Sequence, residues 1–203
     1  MISFTQKEKS LLQKLKTPAS AQDFLNSLRF NFETQGETLK SPLFTLRAGK
    51  AHCFEGALLG AYILSLQGFT PYLMHLEAVE GDYDHVIVPF KVGQFWGALS
   101  KTNHAVLRYR EPIYKDIREL AMSFFHEYFL DDGEKTLRHY SKLLNLNTFE
   151  NNWMTMDGDL WGIDGELDKI KHYDMVPKSH IKKLRKADKI ETEAGKIVEF
   201  RKY

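Results

Sequence analysis

One cysteine, Cys53, and eight histidines are the side chains of this 203-residue chain best suited to nucleophilic chemistry. Cys53 lies in RAGKAHCFEGALLGAYILSLQGF, residues 47–69, where a glycine-containing loop meets an apolar run of helical period. A helix N-terminus offers unpaired N–H groups and the positive end of the backbone dipole. Both stabilise a thiolate, lowering its pKa from about 8.5 toward neutrality, and both suit an oxyanion forming beside sulfur. In this reading Gly49 lets the loop backbone approach closely and leaves room for an acyl group. A small buried cysteine filling a gap is the competing account.

A thiol nucleophile needs a base. His52 adjoins Cys53, but neighbouring side chains at a helix start diverge. His85 begins the apolar run HVIVPFKVGQFWGAL after the polar loop GDYD. A turn at Val92-Gly93 would pair Val86 with Leu99 and His85 with Ser100, on one strand face, where Ser100 could orient the imidazole. A one-residue slip would separate them. Asn103 is the second choice for that role, Asp82 and Asp84 are further ones, and His104 is a spare base. Trp96 shares the predicted face of His85, as either a cleft wall or a core residue. Glu55 is either a helix-start acid or a cleft residue, and Arg47 either a substrate clamp or a partner for an acid.

These groups must be positioned by elements the pattern predicts. Residues 5–16 read as a short helix, and TPASAQDFLNSLRFNF begins a second. Residues 36–51 look irregular. A mostly enclosed helix runs from Cys53 and ends at Gly68. TPYLMHLEAV reads as a strand, followed by two strands about Val92-Gly93, and IYKDIRELAMSFFHEYF reads as a helix. Residues 145–165 are turn-rich, SHIKKLRKADK reads as a basic helix, and residues 189–200 as a hairpin turning at Ala194-Gly195. The fold class is α+β, with a central Cys-bearing helix on an antiparallel sheet. Residues 1–150 would form the core with its N-terminal helices. Residues 151–203 would form a C-terminal extension, or the whole chain one domain.

Cys53, the run EGALLGAYILSLQGFTP, the block HVIVPFKVGQFWGALS and the spacing between them resemble the transglutaminase-like superfamily. The resemblance covers about residues 45–103. RAGKAHCFE is also similar to the arylamine N-acetyltransferases of that fold, without their longer glycine signature. The resemblance implies a papain-like core and acyl transfer or amide hydrolysis through a Cys53 thioester, with His85 as general base and acid. It implies no metal or other cofactor. The family usually has Asp where this chain has Ser100. Serine can accept from the imidazole but supplies no negative charge, and removing that charge in a related triad costs orders of magnitude in rate. A non-catalytic binding or scaffold protein keeping the fold is therefore the alternative.

Composition narrows the partners. The net charge is +1, which selects no nucleic-acid or acidic partner. The segment from Lys178 is basic, but no aromatic platform or groove-reading motif accompanies it, so a solvated basic helix accounts for it. There is no zinc spacing or phosphate-binding glycine fingerprint, and MDGDLWGIDGELD lacks the ligand spacing of a calcium loop. With no signal-like N-terminus, no apolar run of spanning length and no second cysteine, the expectation is a cytoplasmic protein away from membranes. Its substrate would be a protein, a peptide, or a small amide or ester.

Overall fold

The computed structural model describes residues 2–201. Its N-terminal part holds α1 (Gln6–Gln13), α2 (Pro18–Ser27), β1 (Arg29–Phe30), α3 (Pro42–Ala48) and β2 (Lys50–Ala51). Residues 36–51 are more regular than their composition suggests. Pro42 stands in the first helical turn after Ser41, and Gly49 closes α3 at φ +61°. A side chain at Gly49 would meet nothing within 4 Å, so this glycine ends a helix and does not serve a close approach.

The Cys-bearing helix is α4 (Cys53–Leu66). Almost every residue from Phe54 to Leu64 is buried, as befits a helix apolar all round. It packs with Leu12, Leu25 and Leu43 of the preceding helices against Val86, Val88, Phe90 and Leu99 of the sheet. The sheet strands are β3 (Tyr72–Ala78), β4 (His85–Val92), β5 (Phe95–Leu99), β6 (Arg110–Tyr114), β7 (Leu137–Ser141), β8 (Leu144–Asn145) and β9 (His172–Asp174). Their order is β6-β5-β4-β3-β7-β9, with β8 also on β3, and every pairing is antiparallel. α5 (Ile117–Met122) lies on the other face, where Leu120, Ala121 and Phe124 bury Met74, Leu76, Ile87 and Ala98. Both faces of β4 are thus covered, which explains its unbroken apolar run. Pro89 is tolerated because β3 pairs with β4 only as far as Ile87. The architecture is the expected α+β one, with the Cys-bearing helix against an antiparallel sheet.

The β4–β5 hairpin turns at Gly93-Gln94, with Gly93 at φ +59°, so Val88 opposes Leu99. The sequence expectation was displaced by two residues, and His85 does not directly oppose Ser100. The predicted helix over IYKDIRELAMSFFHEYF is shorter, because Tyr114 pairs with Trp96 and Asp116 caps α5 by accepting from Glu119 N–H at 2.8 Å.

Downstream, α6 (Trp161–Lys169) places Ile163 and Leu167 in the α4-side core. α7 (Lys178–Ile181) is a single turn of the expected basic helix. The expected hairpin at 189–200 is instead α8 (Lys189–Gly195) followed by extended chain. The Glu191 carboxylate accepts from Asp188 N–H at 2.6 Å, fixing the helix start. Beyond it, Ala105 N–H donates to Ile197 O at 3.0 Å and Glu199 N–H to Asn103 O at 2.9 Å. Among the described residues no helix is long and apolar enough to cross a membrane.

Candidate active site

Cys53 is the first residue of α4, and His85 the first of β4. Both line one cavity of about 560 Å³ beside the helix tip, together with His52, Tyr83, Leu107 and Tyr128. Thr192, Gly195 and Lys196 of the C-terminal segment supply part of its wall.

The imidazole of His85 is held by a chain of hydrogen bonds. Its Nε2 lies 2.7 Å from Ser100 Oγ, and the Ser100 hydroxyl donates to Leu107 O. A hydroxyl has one proton to give. Because Leu107 receives it, Ser100 Oγ accepts from His85 Nε2–H. That assignment leaves Nδ1 as the nitrogen able to accept a proton. A carboxylate at position 100 would face the Leu107 carbonyl with no proton between them, whereas serine joins the two.

Leu107 is itself unusual, with φ +60° in the left-handed region that side-chain-bearing residues rarely adopt. Its N–H donates to Glu127 Oε2 at 2.7 Å, and Arg110 pairs with the same carboxylate at 2.7 Å. The strained carbonyl that positions Ser100 is thus fixed by an ion pair. Leu107, Glu127 and Arg110 stand at no motif position and carry no signal in the sequence.

The thiol carries the clearest electrostatic signature. Burial opposes its ionisation, but the His52 and His85 imidazoles outweigh that penalty and bring the Cys53 pKa from 9.0 down to about 5. The partner effect is seen at His52. Burial disfavours charge on that ring, yet the neighbouring thiolate, then Glu55, raise its pKa to about 9. His52 also caps α4: Phe54 N–H donates to Nδ1 at 3.2 Å, and Nε2–H donates to Thr38 O at 2.7 Å. The cap needs a neutral Nδ1, whereas pairing with the thiolate needs a protonated one. The two states exclude one another: protonating Nδ1 breaks the cap bond and releases Phe54 N–H. His52, set aside in the sequence as a diverging neighbour, is an electrostatic partner of the thiol.

Of the other sequence candidates, Asn103, Asp82, Asp84 and His104 line the cavity, and Glu55, Arg47 and Trp96 do not. Asn103 binds the C-terminal segment, donating to Phe200 O and accepting from Phe200 N–H, both at 2.9 Å, and does not orient His85. Glu55 is wholly buried, accepting from Asn31 Nδ2 at 3.0 Å and Thr38 Oγ1 at 2.8 Å and pairing with Lys40 at 2.9 Å. It braces the loops around α4 and does not line the cavity. Arg47 pairs with Glu8 at 2.8 Å, away from the cavity. Trp96 packs against Tyr72 and under Lys91, at the far end of its strand. Asp82 accepts from Thr136 Oγ1 at 2.5 Å, and Asp84 pairs with His75 at 3.1 Å. His104 lines the cavity with its Nδ1 2.9 Å from Gly195 O.

No protein-family model matches the chain, and comparison with curated proteins finds no match. Among solved structures the chain is similar to LapG of Legionella pneumophila in an EGTA-treated form, at 12% identity and a TM-score of 0.45. That likeness covers 83% of this chain and 92% of LapG. The chemistry of the site rests on its own geometry.

Proposed function

We propose that this protein is a thiol-dependent acyl enzyme of the transglutaminase-like kind, acting on an amide or ester carbonyl of a peptide, a protein or a small molecule. The observation that carries the reading is the His85–Ser100–Leu107 chain. It commits Nε2 and leaves Nδ1 as the proton acceptor in the cavity that holds a low-pKa thiol.

In the proposed reaction the Cys53 thiolate attacks the carbonyl carbon, and the C=O electron pair moves onto oxygen. The N–H of Cys53 suits that oxyanion. Among the first-turn groups, His52 N–H is taken by Glu55, and Phe54 N–H is taken by His52 while Nδ1 is unprotonated, whereas Cys53 N–H has no hydrogen-bond partner among the described residues. The intermediate collapses with rupture of the bond to the leaving group, which takes from His85 Nδ1 the proton that left the Cys53 thiol. Water or an amine then attacks the thioester, His85 takes its proton, and the thiolate departs. Water makes the protein a peptidase, amidase or esterase; an amine makes it a transferase. A nucleophilic thiol without a disulfide partner suits a reducing compartment, and on that ground we read the location as cytoplasmic.

A non-catalytic scaffold has one observation in its favour: among the described residues no carboxylate pairs with His85. Incubation with an activated ester, followed by intact-mass measurement, separates the two. An acyl adduct on Cys53 that is lost in Cys53→Ser, and falls by roughly 10²-fold or more in His85→Ala, is expected of the enzyme. Labelling of Cys53 at the same rate with and without His85 would favour the scaffold.

A further inference from the structure

We infer that His75 and His172 share one imidazolium charge that clamps Asp84, and that this clamp positions His85, the next residue along the chain. The inference rests on the proton-shuttling role proposed for His85.

Proton counting requires the charge. His172 Nδ1 lies 2.8 Å from Ile170 O and must donate to it. His172 Nε2 lies 3.0 Å from His75 Nδ1, so one proton must sit between those two nitrogens. His75 Nε2 lies 3.1 Å from Asp84 Oδ2 and needs a proton to meet a carboxylate. Four ring nitrogens therefore hold three protons, whereas two neutral rings hold two. The second Asp84 oxygen, Oδ1, accepts from Ala78 N–H at 2.8 Å. Both Asp84 oxygens are thus tied to β3 or its side chains.

The surroundings favour a cation. Glu77 lies on the same strand, Asp84 comes from the loop before β4, and α6 contributes Asp168 and, beyond it, Asp164. Glu37, from the loop before α3, acts on Asp164. On β7, His139 pairs with Glu77 at 2.8 Å and with Asp174 of β9 at 3.0 Å. Burial opposes charge on His75, but Asp84, then Asp168 and Glu77, raise its pKa. Among the described residues, no group of three or more His, Cys, Asp or Glu side chains is arranged to hold a metal.

The clamp acts through the backbone. His75 opposes Val86, so Asp84 is its diagonal neighbour on one face of the sheet, while His85 projects to the other face toward Ser100. Fixing Asp84 fixes the Cα from which the His85 imidazole hangs. Because the His75 pKa is raised, the clamp is complete below the ordinary 6.5 and is lost as pH rises through the raised value.

The test reads imidazole protonation by side-chain ¹⁵N spectra of wild type, Asp84→Asn and His172→Gln from pH 6 to 9, with thiol–disulfide exchange at Cys53 followed in parallel. In wild type, the His75 ring is expected to be doubly protonated at pH 6 and to lose its second proton above the ordinary 6.5. Its loss should move the His85 ring signals and produce an inflection in the exchange rate. Asp84→Asn should shift both events down by roughly 1–3 pH units, and His172→Gln should shift them in the same direction. A His75 ring that loses its second proton at or below the ordinary 6.5 in folded wild type would overturn the clamp. So would His85 signals indifferent to the titration of His75. A Cys53 thiol that titrates near 9.0 would overturn the catalytic reading instead, and the two ring readouts would still decide the clamp.

Discussion

The thiol of Cys53 makes a prediction whose sign changes with pH. Take a reagent disulfide that releases a chromophore, and compare folded protein with a short cysteine peptide of pKa about 9.0. Lowering the pKa from 9.0 to about 5 leaves Cys53 mostly thiolate at pH 6. A peptide thiol is then only about 0.1% ionised, a ratio near 900 in favour of the protein. Nucleophilicity falls with basicity, however. With a Brønsted slope of about 0.45, four pKa units cost about 60-fold. Their product makes the protein thiol about 14-fold faster at pH 6 and about 6-fold slower at pH 8, crossing near pH 7.2. Limited access to the cavity scales every rate equally and shifts the crossing, but not the slope. From pH 6 to 8 the protein rate should stay flat, save for the inflection at the His75 titration, while the peptide rate rises about tenfold per unit. His52→Ala and His85→Ala should each restore part of that rise. A wild-type rate that climbs in parallel with the peptide up to pH 9 would refute the imidazole–thiolate pairing, and the acyl chemistry with it.

Ser100→Ala removes the acceptor for His85 Nε2–H and the donor to Leu107 O. Acylation by an activated ester should slow about tenfold, the worth of one neutral hydrogen bond. Asn103→Ala should leave acylation within about twofold, while hydrogen exchange shows residues 197–200 released from the body. Gly56→Ala places a methyl group against the Lys101 stem and should cost about 1–3 kcal/mol in denaturant unfolding. Glu55→Gln should cost about 3 kcal/mol, the low end for a buried pair, because the Lys40 side chain keeps 26% exposure. Burial pushes the Glu55 pKa up, but His52, Lys40, Asn31 and Thr38 together lower it from 4.5. Its stabilisation is therefore present above 4.5 and lost as pH falls through the lowered value. Acid unfolding of Glu55→Gln should be correspondingly shallower.

What could be read in the sequence is what local chemistry dictates. An apolar run beginning at Cys53 can only be a buried helix, and β4 announces itself by a run too apolar for a strand with one wet face. The parts missed depend on partners far along the chain. Leu107 becomes functional only because Glu127, twenty residues on, holds its N–H. His52 matters because its imidazole, with that of His85, favours ionisation of the Cys53 thiol. In the α8 region Gly195 resembles a hairpin turn, but the D-x-x-E spacing of Asp188 and Glu191 is the capping signal that the helix obeys. The His85–Ser100 contact survived an incorrect turn position for a geometric reason. Strand side chains alternate with period two, so a two-residue displacement moves a partner along the same face, and a one-residue displacement would have moved it through the sheet. The partner then becomes a diagonal neighbour, at a distance an imidazole and a hydroxyl can bridge, and the 2.7 Å bond forms there. Parity, more than register, is the quantity a sequence must specify to bring a strand-borne base and its orienting group together.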